Sequence, residues 1–460
     1  MNKEINRKRE NDMEQKDLTR GPIFKTMCMF ALPMILGNIL QQCYNVVDTW
    51  VVGKFVGSDA LAAVGSAFAL MTFLTSIILG LCMGSGVVFS MCFGKKDEKR
   101  LKESICASFF LAAAIAVALT AGSILSVDFI INWMNIPQQI QDITRIYMVI
   151  VFSGIPAIFL YNFFSAYLKA VGNSVTPLVF LGISTVLNII LDLLFVAVFN
   201  RGAAGAAEAT IIAQYISGIG IGIYVVVKNK TIRTAFKEYK ISIFNLKEIA
   251  EYSILTCMQQ SVMNFGILMV QGVVNSFGTA VMAAFAAAVK IDSFAYLTVQ
   301  EYANAFSTFT AQNMGAGKKE RINKGIKYAV ISSAVYCIIA SLIMWFAAEQ
   351  LMLIFIDPAE TEIISEGIRY LHIEGVFYIG IGFLMIFYGL YRALGKPMMS
   401  VILTVISLGT RVGLSYLLSS VPWIGVVGIW WSIPIGWGLA DLAGFIYFVK
   451  NKNKLLECAA

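Results

Sequence analysis

Six stretches of this chain, residues 60–94, 104–127, 146–168, 209–227, 252–289 and 328–348, contain no Asp, Glu, Lys or Arg. Each is close to or above the roughly 20 residues that a helix needs to cross a bilayer. A soluble fold of ordinary composition carries about a quarter charged residues. Here only 14% are charged and 58% are hydrophobic, more apolar surface than a water-soluble core can bury. Placing turns at the polar breaks predicts an all-α integral membrane protein with 12 transmembrane helices. The expected spans are 27–52, 60–88, 104–126, 143–167, 177–199, 205–227, 250–274, 281–311, 328–347, 365–390, 398–419 and 425–449. A membrane barrel is excluded, because these runs lack the alternating ten-residue pattern of membrane strands.

Charge sets the expected orientation. With the N-terminus in the cytoplasm, 29 of the 35 Lys and Arg fall on that side, against four (Lys54, Arg145, Arg201, Arg369) on the other. Cytoplasmic loops carry such an excess. Both termini are therefore expected in the cytoplasm, and the net charge of +7 reads as topology and contact with anionic lipid, not nucleic-acid binding. The stretch 1–25 is a charged tail with no apolar core, so no cleaved signal peptide is expected. Six of the eight Cys lie in expected spans, Cys92 lies just past the end of one, Cys458 lies in the tail, and no CxxC occurs. Neither a disulfide framework nor a thiolate metal site is supported.

The chain also repeats itself. Slid along itself at one constant offset, it aligns Gly57 with Gly278, Gly94 with Gly315, Arg100 with Arg321 and Pro137 with Pro358. After a two-residue insertion the lengthened offset pairs Lys169-Ala170 with Arg392-Ala393, Gly172 with Gly395, Gly202 with Gly425 and Gly205 with Gly428. Such ordered matches mark an internal duplication. Each half holds six spans, an even number, so the halves share one orientation and are related by a pseudo-twofold along the membrane normal. The expected organisation is a tail (1–25), an N-lobe with spans 1–6 (26–227), a basic linker (228–248), a C-lobe with spans 7–12 (249–449) and a C-terminal tail (450–460). Two facing bundles suit alternating access around a cavity between them. The plainer alternative is a duplication kept for packing.

The segment FALPMILGNILQQCYNVVDTWVVGKFVGSDALAAVG (30–65) resembles the opening of multidrug and toxic compound extrusion transporters. So do AQNMGAGKKERINKGI (311–326) and GLYRALGKPMMSVILTVISLGTR (389–411). The resemblance covers essentially the whole chain. It implies two six-helix lobes that expel organic cations in exchange for Na⁺ or H⁺, in a bacterial cell membrane.

Depths counted from the span ends, at about 1.5 Å per residue, bring four oxygen-bearing residues of the N-lobe to similar heights. Asp48 lies on span 1, Asn188 and Asp192 one turn apart on span 5, and Thr210 on span 6. A carboxylate in hydrocarbon must be paired, hydrated or neutralised. Two carboxylates with an amide and a hydroxyl suit a hard cation such as Na⁺, or one acid carries a proton. Under the repeat these positions become Met269, Arg411, Ser415 and Ile433, so the duplicate has lost every such oxygen except a serine hydroxyl. A purely structural cluster would be expected to persist in both halves. The resemblance places the same four residues on the coupling site of the branch similar to DNA-damage-inducible-F transporters. The branch that binds Na⁺ in its C-lobe uses an acid in span 7, where this chain has Gln259 and Gln260. For Thr210 alone, a bond to its own helix backbone is as good a reading.

Further intramembrane charges lie in the C-lobe: Lys290, Asp292 and Glu301 in span 8, Glu374 in span 10 and Arg411 in span 11. Lys290, Asp292, Glu374 and Arg411 are expected to neutralise one another, or to free an acid for a cationic substrate. Glu301 lies deeper and has no assigned partner. His372, the single histidine, is expected to be a satisfied helix-end residue. Pro33, Pro156 and Pro434 lie inside spans and permit kinks. No HExxH, GxSxG or nucleotide-binding motif occurs, which argues against an enzyme or an ATP-driven pump. The reading is a cation-coupled exporter that uses H⁺ or Na⁺ and no other cofactor. Its partners are an organic small molecule and the lipid bilayer, with a monomer expected. A flippase for a lipid-linked precursor is the alternative on the same architecture.

Overall fold

The structure is a computed structural model that describes residues 17–134, 136–237 and 243–456. Residues 1–16 of the tail, 238–242 of the linker and Cys458 lie outside them. All regular structure among the described residues is helical. The segments able to cross a bilayer run, in order, Ile23–Phe55, Ser58–Lys95, Glu98–Leu125, Gln138–Ala170, Val175–Val198, Gly202–Lys228, Ile243–Asn275, Thr279–Gly315, Lys319–Phe346, Thr361–Ala393, Pro397–Ser419 and Val427–Leu455. These are the twelve expected spans, numbered 1–12 below. Span 10 is a bent pair of helices, Thr361–Val376 and Tyr378–Ala393.

Several helices outrun the apolar stretches that betray them. Span 2 continues through Lys95 because nothing in its charged end breaks the helix. It stops where Lys96 turns left-handed, at φ 60°, and its N–H caps the carbonyls of Cys92 and Phe93. The same left-handed turn follows span 8 at Gly317, φ 68°. Gly57 and Gly278, at φ 105° and 94°, open spans 2 and 8. Lys96 and Gly317 stand at the same offset as Gly57 and Gly278, so the duplication extends to the backbone. Helix starts at Gln138 and Thr361 place the two-residue insertion just after Pro358.

Spans 4 and 10 are both broken, at matching places. Span 4 stops at Phe152 and restarts at Ile155, while span 10 bends by 54° at Phe377. Pro156 therefore sits in the first turn of a new helix, where a missing N–H is harmless, and not at a kink inside a continuous one. Pro33 and Pro434 do lie inside their helices.

The chain divides into two compact units, one built on Leu36–Cys257 and the other on Leu18–Ile35 with Met258–Ala460. The boundary falls within span 1 and within span 7, so the first part of each of these helices belongs to the opposite unit. In the N-lobe, Gly80 and Gly84 of span 2 let it lie against span 7, and Ser85 hydrogen bonds Ser253 at 3.0 Å. Arg100 forms an ion pair with Glu248, and the Asn245 amide donates to Glu103 at 2.5 Å. In the C-lobe, the repeat partner of Arg100, Arg321, donates to the Arg20 and Gly21 carbonyls at 2.7 Å. Lys318 donates to the Thr19 carbonyl at 2.7 Å, and Leu18 is fully buried. Lateral faces remain apolar and exposed, as at Leu342 and Phe346, the surface a lipid phase requires.

A Cβ at Gly84 would overlap the backbone of Tyr252 and Ser253, which cannot move aside as a side chain can. Gly84→Leu should therefore lower the thermal unfolding midpoint of purified protein, with an overpacking cost of about 1–3 kcal/mol. Gly65→Leu, where no atom lies near, should not.

Candidate functional site

The N-lobe site is built on the end of span 5. Its α-helix ends at Asp192 and passes directly into a π-helical turn, Leu193–Val198. Such turns are rare and mark places where a helix re-aims its side chains. Asp192 is fully buried and Asn188 is 1% exposed. One orientation of the Asn188 amide satisfies both of its ends: nitrogen donates to Asp192 Oδ2 at 2.9 Å, and oxygen accepts from the Thr210 backbone N–H at 3.3 Å. Tyr44 Oη, one turn before Asp48 on span 1, donates to Thr210 Oγ1 at 3.2 Å. Asp48 and Asp192 act on each other electrostatically, and both act on Tyr44 and Tyr147. The structure thus brings together all four expected residues. The buried Oδ1 atoms of Asp48 and Asp192 have no hydrogen-bond partner. Two orphaned carboxylate oxygens in an apolar surround are costly unless a cation or proton meets them.

The C-lobe charges divide into two groups. Asp292 accepts from Tyr378 Oη at 2.6 Å, and Asp292, Glu374 and Arg411 act on one another electrostatically. None of the three forms an ion pair among the described residues, and Glu374 Oε2 and Arg411 Nε are buried without partners. Lys290 is exposed and stands apart, which corrects the expected four-charge network: the side chain two residues before Asp292 points off the packed face of span 8. Glu301 joins a separate chain. It accepts from Asn304 Nδ2 at 3.2 Å, and Asn304 Oδ1 accepts from buried Arg392 at 3.0 Å. His372 stacks on Trp345 at 4.5 Å and reaches its carbonyl at 3.1 Å, a satisfied helix-end histidine.

A profile of the MatE family matches the chain twice, over residues 33–194 and again over 253–417. The chain belongs to the MatE family. The double match coincides with the duplication and covers more than half of the sequence. Similar MatE-type relatives include "Probable multidrug resistance protein YpnP" of Bacillus subtilis, 29% identical across 97% of this chain and 99% of that protein. "Probable multidrug resistance protein NorM" of Thermotoga maritima is 26% identical over 89% and 88%. Among solved structures, the outward-facing conformation of a multidrug resistance MATE family transporter superposes with a TM-score of 0.90 at 22% identity. It covers 95% of this chain and 98% of that one. At that identity the likeness speaks for the fold.

Within this MatE fold, Tyr44 and Tyr147 were not singled out from the sequence. Tyr44 carried a signal in its i, i+4 spacing from Asp48. Tyr147 carried one in its repeat partner, Tyr370. Asp441 of span 12 is a further intramembrane acid, and its Oδ1 is buried without a partner. No group of three or more His, Cys, Asp or Glu is placed to hold a metal among the described residues. A metal ion at the N-lobe site would therefore have to lean on amide and hydroxyl oxygens beside two carboxylates.

Removing one member of the Glu301–Asn304–Arg392 chain, in which Arg392 is buried and Glu301 and Asn304 are half-buried, strands the others. Arg392→Met should destabilise the purified protein by about 3–5 kcal/mol. Adding Glu301→Gln should recover part of that, read as the thermal midpoint of the single and double variants.

Proposed function

We propose that this chain is a secondary active antiporter that exports organic cationic, amphipathic compounds in exchange for H⁺ or Na⁺. The observation that carries the reading is the N-lobe cluster, in which buried Asp192 and half-buried Asp48 each keep a buried oxygen without a partner. With no cation the pair carries uncompensated charge into hydrocarbon, and with one it approaches neutrality. A ligand shifts a conformational equilibrium only by its differential affinity for the two states. Cation binding at Asp48, Asn188, Asp192 and Thr210 supplies such a difference, because these residues tie spans 1, 5 and 6 together. Alternation between lobes then couples cation entry to substrate exit.

Names of full-length relatives support the substrate side: the B. subtilis and T. maritima proteins are called probable multidrug resistance proteins, and MepA of Staphylococcus haemolyticus a multidrug export protein. The charge bias of the loops supports both termini in the cytoplasm, and the bacterial relatives support a bacterial cell membrane.

The test is efflux of a fluorescent lipophilic cation from proteoliposomes under a Na⁺ gradient and, separately, a pH gradient. One gradient should drive wild-type efflux, and Asp192→Asn should reduce it to the rate seen without a gradient. Efflux by the variant that still follows the gradient would refute the N-lobe as coupling site. A protein that moves no such cation under either gradient would refute the substrate class and turn attention to lipid-linked precursors.

A further inference from the structure

The two lobes present one tyrosine each to a pair of acids. Tyr147 of span 4 lies within electrostatic reach of Asp48 and Asp192. Its repeat partner Tyr370 lies within reach of Glu374 and Asp292, and also of Arg411. The C-lobe acids come from other positions, spans 8 and 10, yet they face the same repeated tyrosine. At that offset Arg411 is the counterpart of Asn188, the residue that joins Asp192 to span 6 in the N-lobe. Ser415, the counterpart of Asp192, is engaged with Ser432 at 2.8 Å and adds no charge.

Each lobe thus holds two carboxyls beside an equivalent tyrosine, but among the described residues only the C-lobe cluster holds a guanidinium as well. Groups facing Arg411 are Asp292 and Tyr296 from span 8, and Tyr370 and Glu374 from the first helix of span 10. Tyr378, from the second helix, faces the acids. Lys290 is exposed and does not join them. The guanidinium makes no close ion pair among the described residues, and its buried Nε is unpartnered. It acts through its charge and its place, as a bound ion would. Unlike an ion it cannot leave, and unlike a carboxyl it does not change protonation in a protein.

We propose that Arg411 is a tethered cation, which permanently supplies to Asp292 and Glu374 the positive charge that Asp48 and Asp192 take from an exchangeable H⁺ or Na⁺. The C-lobe is then a cation site of the same kind, filled by the chain itself. Ion exchange is confined to the N-lobe, and one lobe responds to the gradient while the other holds its charge fixed. This rests on the N-lobe being the exchangeable site, as proposed above. Removing Arg411 leaves the C-lobe with the charge balance of the N-lobe, two carboxyls and no fixed cation, and uncovers a second monovalent-cation site.

Cation uptake per protein at saturation tests this on the purified full chain. Bound ²²Na⁺ is counted by equilibrium dialysis and bound protons by potentiometric titration of the same samples. Arg411→Gln should take up one cation more than wild type, whereas Arg411→Lys, which keeps the charge, should take up none extra. Asp192→Asn should bind fewer cations than wild type, and adding Arg411→Gln to it should again raise the count by one. An Arg411→Gln count equal to wild type overturns the tethered cation. A full wild-type count in Asp192→Asn overturns the N-lobe reading instead, so the two failures are separate. Should Arg411→Gln not fold, Asn188→Arg tests the same idea in reverse. A guanidinium there should lower N-lobe uptake by one cation, and undiminished uptake by the folded variant overturns the proposal.

Discussion

Everything distinctive in this protein follows from the cost of a carboxylate oxygen with nothing to meet it inside a membrane. Asp192 is fully buried, at the point where span 5 changes from α to π geometry. One of its oxygens is held by Asn188, which in turn accepts from the backbone of Thr210 on span 6. The other has no partner, and neither has one oxygen of Asp48. A helix bundle that needed only stability would place leucine there, because a half-satisfied polar network is worse than an apolar core. The arrangement makes physical sense when something that arrives and leaves completes it.

The duplication shows what is architecture and what is chemistry. Left-handed turns recur at Gly57 and Gly278, at Lys96 and Gly317, and at Gly202 and Gly425, and the break in span 4 recurs in span 10. These features set the path of the chain, and both halves keep them. The side chains of the two buried clusters do not recur, although cytoplasmic-end charges such as Arg100 and Arg321 do. Asn188 faces Arg411 across the repeat, Asp192 faces Ser415, and the C-lobe acids come from new positions. Under the proposed function, the symmetric scaffold carries asymmetric charge because only one lobe need sense the ion.

Much of this was legible in the sequence, for identifiable reasons. Uncharged runs of about 20 residues mark membrane spans because hydrocarbon tolerates few alternatives. The four N-lobe residues were legible because an intramembrane acid is expensive enough to demand a reason. Helix ends were less legible, since charged residues such as Lys95 end an apolar run without ending a helix. Side-chain direction was lost as well. Lys290 and Asp292 share a depth, but one is exposed and the other is joined to Tyr378. Asp441, an acid inside span 12, carries the same signal in the sequence as Asp48 and Asp192, whereas Glu301 meets Arg392 only through Asn304, a contact between spans 8 and 10. The division of spans 1 and 7 between the two units depends on tertiary contacts that periodicity does not encode.

The central claim is that the Asp48–Asp192 pair changes its charge state when a cation binds. Infrared difference spectroscopy of the reconstituted protein tests it directly. Spectra would be taken on raising Na⁺ at fixed pH and on raising pH without Na⁺, with bands assigned through Asp48→Asn and Asp192→Asn. The account predicts loss of a protonated-carboxyl C=O band, or a shift of the carboxylate bands on Na⁺ binding, in wild type and not in the variants. Carboxyl bands at these two residues that stay unchanged under both conditions would contradict it.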